Sequence, residues 1–139
     1  MPSYPRRRVL CAETHEDTCR LITMLLEGQG HEVVSARTIA ECVGLAEVKS
    51  FDLYMVDDDY IDGTALQLCK RLREMTPRTP ILFFSAQALR RDRELALEAG
   101  ATAYLTKPDD LFDIVSTVNS ILSGKSAAAA PRRKPGSLD

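Results

Sequence analysis

Three consecutive aspartates, Asp57, Asp58 and Asp59, close the apolar run 53–56, and Asp62 and Gly63 follow shortly after. Carboxylates packed this tightly repel one another, and burying one is costly unless something compensates. Other apolar runs end in polar groups too: Glu13 and Thr14 follow "RVLCA", Ser85 closes "PILFF", and Lys107 follows "TAYLT". Brought together, these residues would place carboxylates, a hydroxyl and an ammonium side by side, with opposite charge as the compensation. A carboxylate attacking a phosphoryl group needs cations to offset the charge on the transferring oxygens. Mg2+ takes oxygen ligands and keeps several waters, so few protein carboxylates suffice to hold it. Taken singly, each residue has a plainer reading. An Asp at a strand end is usually a turn or cap residue, a Ser there can cap a helix, and a Lys usually faces solvent.

The elements that must position this set alternate regularly. Short apolar runs at 8–12, 31–36, 51–57, 80–86 and 102–106 read as strands. Helical patterns lie between them: 16–28 with Leu21, Ile22 and Leu25 on one face, 38–48 opened by the capping box "TIAE", and Ala65, Leu68, Cys69 and Leu72 at helical spacing. A fourth helix runs to Ala99, with Gly100 placed as its C-terminal cap. A fifth, after Lys107–Pro108, carries Leu111, Ile114, Val115, Val118, Ile121 and Leu122 on its apolar face. Five strands alternating with five helices predict a parallel sheet covered on both faces with right-handed crossovers. In such sheets, ligands bind beyond the carboxyl ends of the strands, where Glu13, Asp57, Ser85 and Lys107 all fall.

This constellation resembles the receiver domain of response regulators in two-component signalling. The resemblance spans residues 7–123 and rests on Glu13, on Asp57 in "DLYMVDDDYIDGTA", on Ser85-Ala86 and on Lys107-Pro108 in "GATAYLTKP". It implies a single flavodoxin-like, three-layer αβα domain: a doubly wound sheet of five parallel strands in the order 2-1-3-4-5. It implies Asp57 as phosphoacceptor, Ser85 and Lys107 as contacts to the phosphoryl group, and Mg2+ held by Glu13, Asp57 and the backbone carbonyl of Asp59. Lys107 is implied to precede Pro108 through a cis peptide. Tyr104 is implied as an aromatic switch that turns inward when Ser85 engages the phosphoryl group, and is otherwise a core residue. The function implied is a signalling module, not an enzyme. It would take its phosphoryl group from a sensor histidine kinase or phosphotransfer protein and pass the signal to a downstream protein. The face of the fourth helix, fifth strand and fifth helix is the expected contact for such a partner or for a second copy. A degenerate receiver that binds partners without phosphorylation is the alternative. A flavodoxin-like enzyme on the same fold is disfavoured because no Gly-rich phosphate loop follows the first strand.

Four departures from the family's usual pattern stand out. Thr14 replaces the second acidic residue that usually binds Mg2+, which implies weak metal binding. Ile61 stands for a usual Pro, Ala65 for a usual Gly, and Asp58 adds negative charge beside the acceptor. Asp58 and Asp62 are expected to be solvated loop residues, and His15 and His31 carry no metal-ligand pattern.

Composition narrows the partners. The 139 residues are 45% hydrophobic and 27% charged, with net charge −2, as in an ordinary globular domain. Residues 1–8 and 125–139 hold seven of the 18 Lys/Arg and one of the 20 Asp/Glu, leaving 11 basic and 19 acidic residues, net −8, in 9–124. An acidic body argues against direct nucleic-acid binding. No apolar run reaches membrane-spanning length, and the basic start is no signal peptide, so a cytoplasmic location is expected. Cys11, Cys19, Cys42 and Cys69 lack metal spacing and read as core residues. Residues 124–139, rich in Ala, Pro and basic residues, read as a disordered tail.

Overall fold

Residues 6–124 are described by a computed structural model. In chain order the elements are β1 (Arg8–Ala12), α1 (Glu16–Glu27), β2 (Glu32–Ala36), α2 (Ile39–Val48) and β3 (Leu53–Val56). A two-strand ribbon, β4 (Asp59–Tyr60) and β5 (Gly63–Thr64), leads into α3 (Ala65–Met75). Then come β6 (Ile81–Ser85), α4 (Arg90–Glu98), β7 (Ala103–Thr106) and α5 (Ile114–Leu122), the last entered through a 3-10 turn at Leu111–Asp113. The sheet runs β2-β1-β3-β6-β7, which is order 2-1-3-4-5 when only its own five strands are counted. Every neighbouring pair is parallel, with registers such as Ala12↔Val56, Met55↔Leu82 and Phe84↔Leu105.

Alternation along each strand sends successive side chains to opposite faces, and this divides the core in two. Leu10, Tyr54, Val56, Ile81 and Phe83 pack with Ile39 and Cys42 of α2, Leu68 and Leu72 of α3 and Ala96 of α4. Val9, Cys11, Met55, Leu82 and Phe84 pack with Cys19, Ile22 and Leu26 of α1 and Ile114 and Val118 of α5. With β1, β3, β6 and β7 covered on both faces and the edge strand β2 only partly so, polar residues collect at the strand ends. All four cysteines are buried and free. Among the described residues, no helix is long and apolar enough to cross a membrane.

Several local expectations need correction. The buried stripe of α1 is Cys19, Ile22 and Leu26, whereas Leu21 is exposed and Leu25 only half-buried. On α5, Thr117 is buried while Val115 is half-buried. Thr38 caps α2 by accepting from the Glu41 amide at 3.0 Å, but the Glu41 carboxylate reaches past the cap to the Arg37 amide at 2.7 Å. Asp62 is exposed yet not merely solvated. It accepts from the amides of Ile39 and Ala40 at 2.9 and 3.0 Å and so ties the ribbon to the first turn of α2. The ribbon itself is too short to carry a period in the sequence. Its turn uses Gly63 at φ 154°, where an added Cβ would meet the Gln67 side chain at 2.6 Å and Ile39 Cδ1 at 2.7 Å. Nearly all of the expected tail, 125–139, lies outside the described residues.

Candidate functional site

β1 and β3 are neighbours in register at Ala12 and Val56, so the residues that follow them, Glu13 and Asp57, emerge side by side. Both are buried, at 2% and 1% exposure. Two buried carboxylates in contact would repel strongly, and the compensation comes from the far end of β7. Lys107 reaches across the end of β6, its ammonium 5.5 Å from the centre of the Phe84 ring. There it donates to Asp57 Oδ1 at 2.7 Å and to Glu13 Oε2 at 3.1 Å. The peptide between Lys107 and Pro108 is cis.

Thr14 supplies two more donors. Its amide and hydroxyl both donate to Asp57 Oδ2, at 3.1 and 2.7 Å. Burial alone would push the Asp57 carboxyl up, but Lys107, Thr14 and Glu13 more than offset it and hold it at about 2. Glu13 moves the other way: burial and the adjoining Asp57 raise its carboxyl, against the pull of Lys107 and the His15 amide. Burial would lower Lys107, yet its two carboxylate partners raise it. Asp57 is therefore ionised at neutral pH.

Tyr60 fixes the backbone beneath. Its buried hydroxyl accepts from the Asp57 amide at 2.8 Å and donates to the Ala12 carbonyl at 2.7 Å, joining the ends of β3 and β1. Sequence reasoning passed over this residue, and nothing in the spacing of one aromatic three places after Asp57 singles it out.

A second cluster sits at the end of β6. Asp57, Asp58, Asp59, Ser85, Gln87 and Tyr104 line one groove of about 150 Å³. Ser85 thus shares the groove with Asp57, but its hydroxyl donates to Asp58 Oδ1, and the Ala86 amide donates to Asp58 Oδ2 at 3.2 Å. Asp58 is half-buried and engaged, contrary to the solvated loop residue expected, because a carboxylate next to two donors gains more by accepting from them than by facing water. The Gln87 amide donates to Ser85 Oγ at 3.0 Å, and Tyr104 Oη donates to the Gln87 carbonyl at 2.6 Å. Tyr104 is buried and stacks on Phe83, with ring centres 5.6 Å apart.

Among the described residues, one group of acidic and imidazole side chains brings ligand atoms together: Glu13, His15 and Asp57, all within 4.8 Å of one another. His15 was assigned no role from the sequence. Its Nδ1 lies 3.2 Å from Glu13 Oε2 and 3.6 Å from Asp57 Oδ2. A His two places after a strand-end Glu, at the start of a helix, is the signal that could have suggested it. The Asp59 side chain is exposed and outside this group, and the expectation for Asp59 concerned only its carbonyl. His31 is buried away from the site, its Nε2 3.2 Å from Asn119 Oδ1. A mixed set of buried carboxylates and an imidazole suits a divalent cation, and two hard oxygens among the donors are compatible with Mg2+.

The chain matches the response regulator receiver domain family over residues 9–119. It is 31% identical over 125 residues to the alkaline phosphatase synthesis transcriptional regulatory protein PhoP of Bacillus subtilis, covering 90% of this chain and 52% of PhoP. It is 27% identical over 118 residues to the polar-differentiation response regulator DivK of Brucella ovis, covering 84% of this chain and 96% of DivK. The chain thus spans about half the length of PhoP and of the other transcriptional regulators it matches, and nearly all of DivK. Among solved structures, the non-phosphorylated HemR receiver domain of Leptospira biflexa is similar with a TM-score of 0.78 and 28% identity, over 85% of this chain and 95% of that one. With the parallel sheet, the acidic strand ends and this match in hand, the chain belongs to the response regulator receiver domain family.

Proposed function

We propose that this receiver accepts a phosphoryl group on Asp57 from a sensor histidine kinase or phosphotransfer protein and signals through protein contacts. The observation that carries the reading is the Asp57 carboxylate itself: buried, ionised, paired with Lys107 at 2.7 Å and opening onto a groove shared with Ser85. A carboxylate held near pKa 2 is anionic at neutral pH, as a nucleophile must be. In the transfer, an Asp57 oxygen bonds to phosphorus as the phosphorus–nitrogen bond of a phosphohistidine breaks. The bonding pair leaves with the imidazole, which then takes up a proton. Lys107, the nearest cation, offsets charge on the transferring oxygens, and Ser85 offers its hydroxyl.

Glu13 and Asp57, with the Asp59 carbonyl, are the residues that would hold Mg2+, and His15 lies within reach of the same point. When bound, Mg2+ supplies further positive charge at the phosphoryl oxygens. In this chain Lys107 and Thr14 already occupy both Asp57 oxygens, so a metal would have to share or displace those contacts. That supports the expectation of weak Mg2+ binding.

Incubation with acetyl phosphate and Mg2+, followed by intact-protein mass spectrometry, tests the reading. The expected result is the mass gain of one phosphoryl group, lost on hydroxylamine treatment and absent in Asp57→Asn. An unmodified wild type across a range of donor and Mg2+ concentrations would refute it and leave the phosphorylation-independent receiver.

A further inference from the structure

We propose that Asp58 is a built-in occupant of the phosphoryl-oxygen subsite and keeps Tyr104 buried in the unphosphorylated chain. The proposal rests on the reading of Ser85 as a contact for the phosphoryl group.

Each link is a hydrogen bond. The two Asp58 oxygens accept from two donors at the end of β6, the Ser85 hydroxyl and the Ala86 amide. Two donors offered to two oxygens of one anion is how proteins hold carboxylates and phosphates alike. Ser85 is buried, so its hydroxyl cannot turn to water instead. With that hydroxyl committed to Asp58, its oxygen accepts from the Gln87 amide at 3.0 Å, which sets the course of the loop between β6 and α4. The Gln87 carbonyl then receives the Tyr104 hydroxyl at 2.6 Å, and the ring lies flat on Phe83, 12° from parallel. Asp58, Ser85, Gln87 and Tyr104 all line one groove, so the relay is continuous from the acidic loop to β7 and α4.

Asp58 and a phosphoryl group on the adjoining Asp57 would compete for the same donors, since both are anions and like charges repel at this range. Two consequences follow. The buried form of Tyr104 is populated before phosphorylation, so a phosphoryl group has little left to change there. Removing the Asp58 carboxylate leaves the buried Ser85 hydroxyl without its acceptor, frees the loop, and makes Tyr104 respond to phosphorylation.

The test labels the tyrosines with 3-fluorotyrosine, assigns Tyr104 by the Tyr104→Phe variant, and reads its 19F resonance in wild type, Asp58→Ala and Ser85→Ala. Each is measured free and with beryllofluoride plus Mg2+, and a soluble paramagnetic agent reports exposure of the ring. In the free state, Asp58→Ala should lower the ratio of buried to exposed Tyr104 by about tenfold, the worth of one hydrogen bond to a charged group. Ser85→Ala should act in the same direction, and the double variant should fall short of the sum of the two, because both remove the Ser85–Asp58 bond they share. Beryllofluoride should return Tyr104 to its buried position in Asp58→Ala and scarcely move it in wild type. A Tyr104 resonance unchanged by Asp58→Ala, with the far-ultraviolet spectrum of a folded chain, overturns the proposal. A Tyr104 released in Asp58→Ala that beryllofluoride fails to recover, with Asp57 unmodified, instead refutes the phosphoacceptor reading while the Asp58 anchor stands.

Discussion

Replacing Lys107 with Met keeps the aliphatic stem that runs past Phe84 and deletes only the ammonium. That leaves Glu13 and Asp57 in contact and buried without a cation. At an effective dielectric of about 20, contacts at 2.7 and 3.1 Å correspond to gross attractions of about 6 and 5 kcal/mol, most of which repays desolvation. Removing one partner of such a buried cluster typically costs about 3–5 kcal/mol. The pH dependence follows from the sign of each shift. In the wild type, Asp57 is depressed from 3.8 to about 2, so it contributes about 2 kcal/mol of stability that is present above pH 4 and lost as pH falls through 2. In Lys107→Met that contribution vanishes, Asp57 rises above its unfolded value, and Glu13, already raised in the wild type, rises further. Raised carboxyls cost stability progressively as pH climbs past those values. The gap between wild type and variant should therefore be about 2 kcal/mol at pH 4 and widen to about 3–5 kcal/mol at pH 7.5. Urea denaturation followed by circular dichroism at both pH values measures it. Adding Glu13→Gln should recover much of the pH 7.5 loss, because one of the two repelling charges is gone. A gap that is the same at both pH values, or below about 1 kcal/mol at pH 7.5, would show that the cluster is not held together by the ammonium.

Two further outcomes are expected. Thr14→Asp should tighten Mg2+ by about tenfold or more if a charged contact adds about 1.5–3 kcal/mol, while lowering the melting temperature in EDTA by adding a third carboxylate to the cluster. Calorimetric titration decides it, and a wild type that binds Mg2+ as tightly as Thr14→Asp would mean that Glu13 or His15 already does that work. Tyr60→Phe should cost about 1–3 kcal/mol, because the Asp57 amide and Ala12 carbonyl lose their shared partner in a buried place. A loss under about 0.5 kcal/mol in urea denaturation would mean that the strand ends are tied by something else.

The fold was legible because its signals are local and repeated. Runs such as "PILFF" have few alternatives to a doubly covered parallel strand, and five of them alternating with amphipathic helices admit few topologies. The residues at strand ends were legible for the same reason: once Ala12 and Val56 are in register, Glu13 and Asp57 must adjoin. What failed depends on geometry across the chain. Asp58 and Asp62 look like interchangeable loop carboxylates in the sequence, yet one meets Ser85 and the other caps α2, 22 and 23 residues away from the two amides it receives. His15 and Tyr60 act through positions set only when β1 and β3 pair. The apolar face of α1 was misjudged at Leu21 because a stripe of leucines fixes a helix but leaves its rotation to the contacts with β2 and α5.

Two departures from the family's usual pattern acquire a common meaning in this geometry. Thr14 takes a negative charge away from the β1 side of the site, and Asp58 adds one on the β6 side, so the number of carboxylates is kept while their place changes. On the β1 side, what remains is balanced by the chain's own groups: Lys107 bridges Glu13 and Asp57, and Thr14 donates twice to Asp57. On the β6 side, the added carboxylate fills the donors of Ser85 and Ala86. The cation that pairs with Asp57 and the anion that receives the Ser85 hydroxyl are thus both covalently part of the protein. On the proposed reading, a metal would have to share Asp57 with Lys107, and a phosphoryl group would have to evict Asp58. A ligand can shift a conformational equilibrium only by its differential affinity for the two states, and here the chain has already made, with its own side chains, the bonds through which a phosphoryl group would distinguish them. On the proposed reading, the Tyr104 face would be set largely by folding, and phosphorylation would be a modest adjustment to it.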